Sequence, residues 1–333
     1  MNENEKLVFW GLSDMGRQRT NNEDSFVAEQ LDENTVLAVA IDGVGGYEGG
    51  EVAAAIAQKE IPNYLHQFRN GDRIELLKQA VISANNAIYN QRLTDAERPN
   101  MSCVLTSALV DTHRMAIDMV HVGDTRLYQF HKGELLKLSH DHSLVGYREE
   151  IGDLTEEQAM HHPQRNVISR DVGSEKHEVS DPEFLESAEF PLLPNSILLF
   201  CSDGLTDLVT SRQIVAILEQ EKSLEEKAQA LIDTANEEGG KDNVTVVLVE
   251  YQANEEVVCD EGMKDEKDEK DEKSKDEKDE KRKDKKVEGM KYKKMKKSMV
   301  AARESRDRWK MIAIVASIVA LLLVALFFIL ILK

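Results

Sequence analysis

Three apolar runs in this chain end in an aspartate beside a glycine: VLAVAIDG at 36–43, MVHVGD at 119–124 (with Gly just before the acid) and ILLFCSDG at 197–204. A fourth aspartate, Asp242, opens an apolar run in KDNVTVVLV at 241–249. Aspartate is a poor strand residue and costly to bury, so an acid at such a place belongs at a strand rim with a partner. Four acids brought to strand ends from distant parts of a chain predict one cluster of hard oxygen ligands. Clusters of that kind bind Mg²⁺ or Mn²⁺, and paired ions of this type carry out phosphoryl chemistry.

The elements that must position these acids follow from periodicity. VLAVAI, TSALVD, MAIDMVHV, LYQF, ILLFCS and VTVVLVEY read as strands, being short and rich in β-branched residues. GGEVAAAIAQKEIPNYL, DRIELLKQAVISANNAIYNQRL, SRQIVAILEQ and SLEEKAQALIDTANEEGG read as helices, the last ending at a glycine pair. TSALVDTHRMAIDMVHVGDTRLYQF reads as consecutive strands with short turns, so the sheet is at least partly antiparallel. The expected class is α+β, a layered domain and not a doubly wound parallel one.

Composition narrows the function further. Of the formal net charge of −20, residues 1–252 carry 44 Asp+Glu against 21 Lys+Arg, a balance of −23. That argues against nucleic acid as a partner, because phosphate backbones need Lys and Arg, and suits a site that gathers cations. Cys103, Cys201 and Cys259 are far apart, with no CxxC, and read as reduced thiols. MNENEKLVFWGLSD lacks the basic and apolar regions of a secretory signal.

Two further segments carry chemistry. SDMGRQRTNNEDSF at 13–26 sets Arg19 five residues before Asp24, with Glu23 alongside. IDGVGGYEGGEVAA at 41–54 brings five glycines to the start of a helix, where backbone can approach a ligand closely. It matches neither GxxxxGK[ST] nor GxGxxG. Together with HVGDTRLYQF, LSHDHSLV, HHPQRNVISRDVG, LLFCSDGLTDLV and KDNVTVVLV, in that order over about 7–251, these segments resemble the bacterial form of the metal-dependent type 2C Ser/Thr protein phosphatases, the PPM family.

The resemblance implies an αββα sandwich of two mostly antiparallel sheets flanked by helices. It implies hydrolysis of phosphoserine and phosphothreonine in proteins by a water activated between two Mn²⁺ or Mg²⁺ ions, with a possible third ion. By motif, Asp42 would bridge both ions and the Gly43 carbonyl would bind one, while Asp203 and Asp242 complete the other. Glu23 and Asp24 match the acidic pair of the first motif, and Asp124 matches the acid of the third ion. Arg19 would hold the substrate phosphate, and residues from about Leu144 to Val172 align with a flap beside the site. The chain departs from the family pattern at Val44 and Tyr47, where relatives carry histidine, and in MSCVL at 101–105. A metal-held water or His142 is left to protonate the leaving group. The alternative reading is a catalytically weak, membrane-tethered scaffold that binds phosphoproteins.

Beyond the domain, assigned to 7–252, residues 253–290 are a charged low-complexity linker containing KDEKDEKDEK, which has no apolar face to pack. Residues 291–310 are basic, and 311–332 are 22 residues without a charge, MIAIVASIVALLLVALFFILIL. As a helix this stretch spans roughly 33 Å, enough to cross a bilayer. Only Lys333 follows it in the sequence, so the expectation is a single-pass C-terminal tail anchor in the cell membrane. The basic flank keeps the catalytic part cytoplasmic and meets lipid head groups. The expected partners are phosphorylated proteins, among them a membrane Ser/Thr protein kinase, and membrane lipid.

Overall fold

The computed structural model describes residues 6–44 and 49–253. Tyr47, the charged linker, the basic segment and the apolar stretch 311–332 lie outside the described residues. Among the described residues no helix is long and apolar enough to cross a membrane.

Among the described residues ten strands form two five-stranded sheets, and every ladder between named strands is antiparallel. The first sheet runs β1 (Lys6–Asp14), β10 (Val244–Gln252), β9 (Ser196–Cys201), β6 (Arg126–His131), β7 (Glu134–Lys137). The second runs β2 (Ser25–Asp32), β3 (Thr35–Val44), β4 (Ser102–Asp111), β5 (Ala116–Val122), β8 (Glu186–Pro191). The expected antiparallel sandwich is therefore present.

Strand alternation explains the layering. On β3, Leu37, Val39 and Ile41 join an apolar cluster with α1 (Gly50–Gln67) and α2 (Arg73–Thr94). Val36, Ala38 and Ala40 are buried outside that cluster, and Asp42 continues their face toward the other sheet. Likewise on β10, Val244, Val246 and Leu248 pack with α7 (Leu224–Glu237), and Thr245 and Val247 take the opposite face. Helix α6 (Ser211–Leu218) and the short α5 (Asp203–Thr206) complete that outer layer. The starts of α6 and α7 are fixed by reciprocal capping boxes, Thr210 with Gln213 and Ser223 with Glu226.

Between β7 and β8 the chain makes two short helices, α3 (Leu144–Glu150) and α4 (Glu156–Met160). This segment is tied down at both ends by isolated bridges, Ser143 to Ile168 and Cys103 to Val172.

Candidate active site

The acids assemble where the chain passes from one sheet to the other. Arg19 and Glu23 lie in the β1–β2 connection and Asp124 in the β5–β6 connection, both of which join the two sheets. Asp42 comes from the end of β3, Asp203 from the residues after β9, and Asp242 from just before β10. Arg19, Glu23, Asp42, Gly43, Asp124, Asp203 and Asp242 all line one cavity of about 190 Å³, together with Val44, Asn166, Ile168 and Asn243. Asp24 does not line it. Its carboxylate sits behind the wall, accepting the Ser202 hydroxyl at 2.7 Å.

Close backbone packing makes this convergence possible. A Cβ at Gly50 would stand 2.8 Å from the Gly43 carbonyl carbon and oxygen and 3.1 Å from the Glu23 carboxyl carbon, so only glycine lets the start of α1 seat against both. A Cβ at Gly204 would collide with the Asn243 carbonyl, which presses the Asp203 turn against the Asp242 turn.

Two residues that the motif reading passed over do much of the positioning. Asn243 accepts the Glu23 N–H at 2.8 Å and donates to the Met15 and Asn21 carbonyls at 2.9 Å each. Ser202 donates to Asp24 and accepts the Thr245 N–H at 3.0 Å. The only sequence signal for either is its place beside an acid, in SDG and in KDN.

The electrostatics are those of unneutralised like charge. Burial raises the Asp42 carboxyl well above its ordinary range, and Asp24, Asp203, Asp124 and Asp242 add to it. Asp124 is raised in the same way, by burial and by Asp203 and Asp141 against Arg126. Burial and Asp242 raise Asp203, partly offset by Arg165 and by a hydrogen bond with Asp42. Asp24 is pushed up to about 7 by burial, against its bonds from Ser202 and Thr245. Burial works against the Arg19 charge, but its 2.6 Å bond to Asp242 and the nearby Glu23 and Asp203 outweigh that and raise its pKa. With its side chain 44% exposed, Arg19 keeps donors for an oxyanion.

This donor set fits divalent metal ions. Carboxylates that raise one another's pKa in a shared cavity are hard, anionic ligands short of positive charge, the condition that Mg²⁺ or Mn²⁺ relieves. A second group, His121, His142 and Glu186, has candidate ligand atoms within 4.8 Å of one another. Its valences are already used. His121 Nε2 faces the Gly123 and His140 carbonyls at 2.9 and 3.0 Å, so it carries the proton, and Nδ1 accepts from the Thr106 hydroxyl at 2.8 Å. Glu186 is bound to His140.

His142 is thereby turned away from the role of proton donor. Its Nδ1 accepts the Gly123 N–H at 3.1 Å, it does not line the cavity, and burial beside His121 and Arg170 pushes its pKa down to about 2. It acts instead as a clip between the Gly123–Asp124 turn and the far end of the flap. Its backbone N–H donates to the Gly123 carbonyl at 2.6 Å and its carbonyl accepts from Ser169 N at 2.7 Å.

The near end of the flap is held by a buried ion cluster. Arg126 Nη2 reaches Asp141 at 2.7 Å and Glu149 of α3 at 2.9 Å, and Lys137 reaches Asp141 at 2.6 Å. Burial alone would raise the Asp141 carboxyl, but Arg126 and Lys137 overcome that and hold it well below the usual range. Asp141→Ala is therefore expected to destabilise the domain by about 1–3 kcal/mol, because it removes the carboxylate that Arg126 and Lys137 share and leaves each partly buried cation with a single glutamate. A depressed carboxyl stabilises above its unfolded value and loses that contribution as pH falls through the folded one. The difference in Tm between wild type and variant should thus be full above about pH 4 and shrink in more acidic buffer. A difference that grew on acidification would contradict this assignment.

The protein family profile described as Protein phosphatase 2C matches residues 15–248. The serine/threonine phosphatase stp of Listeria monocytogenes is 32% identical over 243 residues, covering 72% of this chain and 93% of that protein. The solved serine/threonine phosphatase of S. agalactiae superposes with a TM-score of 0.66 at 29% identity, covering 74% of this chain and all of that one. The catalytic domain of PstP in complex with two manganese ions superposes with a TM-score of 0.64 at 30% identity, covering 74% of this chain and 99% of that one. With the profile spanning well over half its length, the chain belongs to the protein phosphatase 2C family.

Proposed function

We propose that the carboxylate cavity binds two divalent ions, Mn²⁺ or Mg²⁺, and that a phosphorylated side chain is hydrolysed there. The chain is a serine/threonine protein phosphatase, and its substrates are phosphoproteins. The observation that carries the two-ion reading is the charge of the wall: a phosphate dianion and a cavity of mutually repelling acids are compatible only with cations between them.

When bound, the ions supply Lewis-acid polarisation of the phosphoryl group and a water acidic enough to attack near neutral pH. In this assignment Asp42, Asp203, Asp242 and the Gly43 carbonyl hold the pair, with Glu23 at the wall and Asp24 supporting it from behind. Asp124 would hold a third ion. Arg19, fixed by Asp242, orients the phosphate through the planar fork of its guanidinium. Among the described residues the cavity wall offers carboxylates, one guanidinium and two asparagine amides, with no hydroxyl, thiol or imidazole. Cys103 and Cys201 are buried, and burial pushes the Cys201 thiol up to about 12. With the wall's carboxylates assigned to the ions and no DxDx[TV] motif in the sequence, water would be the nucleophile, without a covalent enzyme intermediate. The scaffold alternative is the weaker reading, because a silent domain has no need to keep these repelling acids.

The apolar stretch 311–332 serves, in this proposal, as a single membrane span, with 253–290 as linker and 291–310 against anionic lipid. The catalytic domain then lies on the cytoplasmic side, where a membrane Ser/Thr protein kinase is a natural source of substrates.

The test of the chemistry is direct. Residues 1–253 with Mn²⁺ are expected to release phosphate from a phosphothreonine peptide, to lose at least 95% of that activity in excess EDTA and to regain it on adding Mn²⁺. Activity that persists after complete metal removal would rule out the two-ion assignment.

A further inference from the structure

A second depression adjoins the catalytic cavity. Residues 168–184 enclose a groove of about 550 Å³, and Ile168 lines both it and the carboxylate cavity. Ile168 is thus the residue at which the two depressions meet.

The groove is a fixed platform even though its backbone forms neither helix nor strand. Helix α2 holds it by side chains: Asn85, itself buried, accepts the Gly173 N–H at 2.7 Å and donates to the Glu175 carbonyl at 2.9 Å. Asn86 bonds both the N–H and the carbonyl of His177, at 3.2 and 3.1 Å, and Arg92 Nη1 reaches the Ser174 carbonyl at 3.0 Å. The His177 ring stacks on Phe184 at 3.7 Å between centroids. A surface ordered in advance loses little entropy when a peptide docks, and its volume falls in the range, on the order of 300–1,000 Å³, of pockets that take drug-sized ligands, room for one or two side chains.

Its charge is one-sided. Asp171, Glu175, Asp181 and Glu183 line it, against Arg170 as the single guanidinium, and Arg170 points inward to His142 Nε2 at 3.3 Å. Glu175 and Glu183 are exposed.

We propose that this groove receives the substrate segment flanking the phosphorylated residue and selects for Lys and Arg there. The inference rests on the phosphatase reading. Selection acts mostly through encounter and KM, because exposed charges steer association more than they change the chemistry. It is distinct from the Arg19 contact, which recognises phosphate and not sequence.

The test compares two phosphothreonine peptides of equal length carrying three Lys or three Glu, on either the N-terminal or the C-terminal side of the phosphoresidue. Full-length enzyme with Mn²⁺ is expected to show at least a fivefold higher kcat/KM for the Lys peptide on one side, in low salt, narrowing at high salt as charges are screened. The double variant Glu175→Lys/Glu183→Lys should abolish or reverse that preference while keeping kcat/KM for p-nitrophenyl phosphate within twofold. If the lysine pair impairs p-nitrophenyl phosphate hydrolysis, Glu175→Gln/Glu183→Gln decides, with an intermediate loss of preference expected. No preference in wild type on either side, or a preference untouched by the variants, would overturn the proposal. Wild type inert toward p-nitrophenyl phosphate would instead fault the phosphatase reading itself.

Discussion

Asp42→Asn is expected to lower turnover of a phosphothreonine peptide at least a thousandfold while raising the Tm of the metal-free domain. The first effect follows from its proposed role as a shared ligand of the metal ions: losing about 4 kcal/mol of transition-state stabilisation is about a thousandfold, and a two-ion centre would supply at least that. The second follows from burial and four neighbouring aspartates, which raise its carboxyl well above the ordinary range. A carboxyl raised in the folded state penalises folding most above its folded pKa, and the penalty fades as pH falls toward the unfolded value. Without metal, the variant should therefore melt a few degrees above wild type at pH 8, with the gap narrowing on acidification and closing only near pH 4. Arg19→Ala makes the contrasting case, with a raised KM for phosphopeptide and a much smaller change in kcat. Retention of more than a tenth of wild-type turnover by Asp42→Asn in saturating Mn²⁺ would remove Asp42 from the ion pair.

Deleting residues 311–333 is expected to move the enzyme from the membrane fraction to the soluble fraction almost completely. Twenty-two uncharged residues bury far more apolar area in a bilayer than the basic flank gains from head groups. Specific activity toward a soluble peptide should change less than twofold, since the described residues that line the catalytic cavity all fall within 19–243. Dephosphorylation of a membrane-bound phosphoprotein should fall by an order of magnitude or more, through lost effective concentration. Full-length protein that washes off membranes in carbonate would contradict the span, and cleavage of the domain by protease outside intact cells would contradict its orientation.

What the sequence made legible follows burial. All six strands read from apolar runs are present, and the four not read, β1, β2, β7 and β8, are the four sheet edges. Edge strands bury one side of their ladder poorly, so KLVFWGLSD, SFVAEQLD and ESAEFP mix exposed and buried positions without a clean period. The acids were legible because an aspartate after a fully buried run is costly without a purpose. Ser202 and Asn243 were not, because what they hold lies 178 and 220 residues away in sequence. Of the two candidates left for the proton donor, His142 is set aside by contacts the sequence could not show: the carbonyls and amides that occupy it belong to turns that only the folded chain brings together.

The acids come from both sheets, with Asp24, Asp42 and Asp124 entering, on or leaving strands of one and Asp203 and Asp242 bordering the other. In the empty state their repulsion pries at the seam; filled, the same residues rivet it. Ions that bind only the assembled seam stabilise folding by mass action, about 2.7 kcal/mol at a hundred times the dissociation constant. The supply of manganese or magnesium would then set the lifetime of this protein against proteolysis as well as its rate. In a metal-poor cell the phosphatase would dwindle in amount, so that phosphorylation of its substrates outlasts the shortage until new enzyme is made.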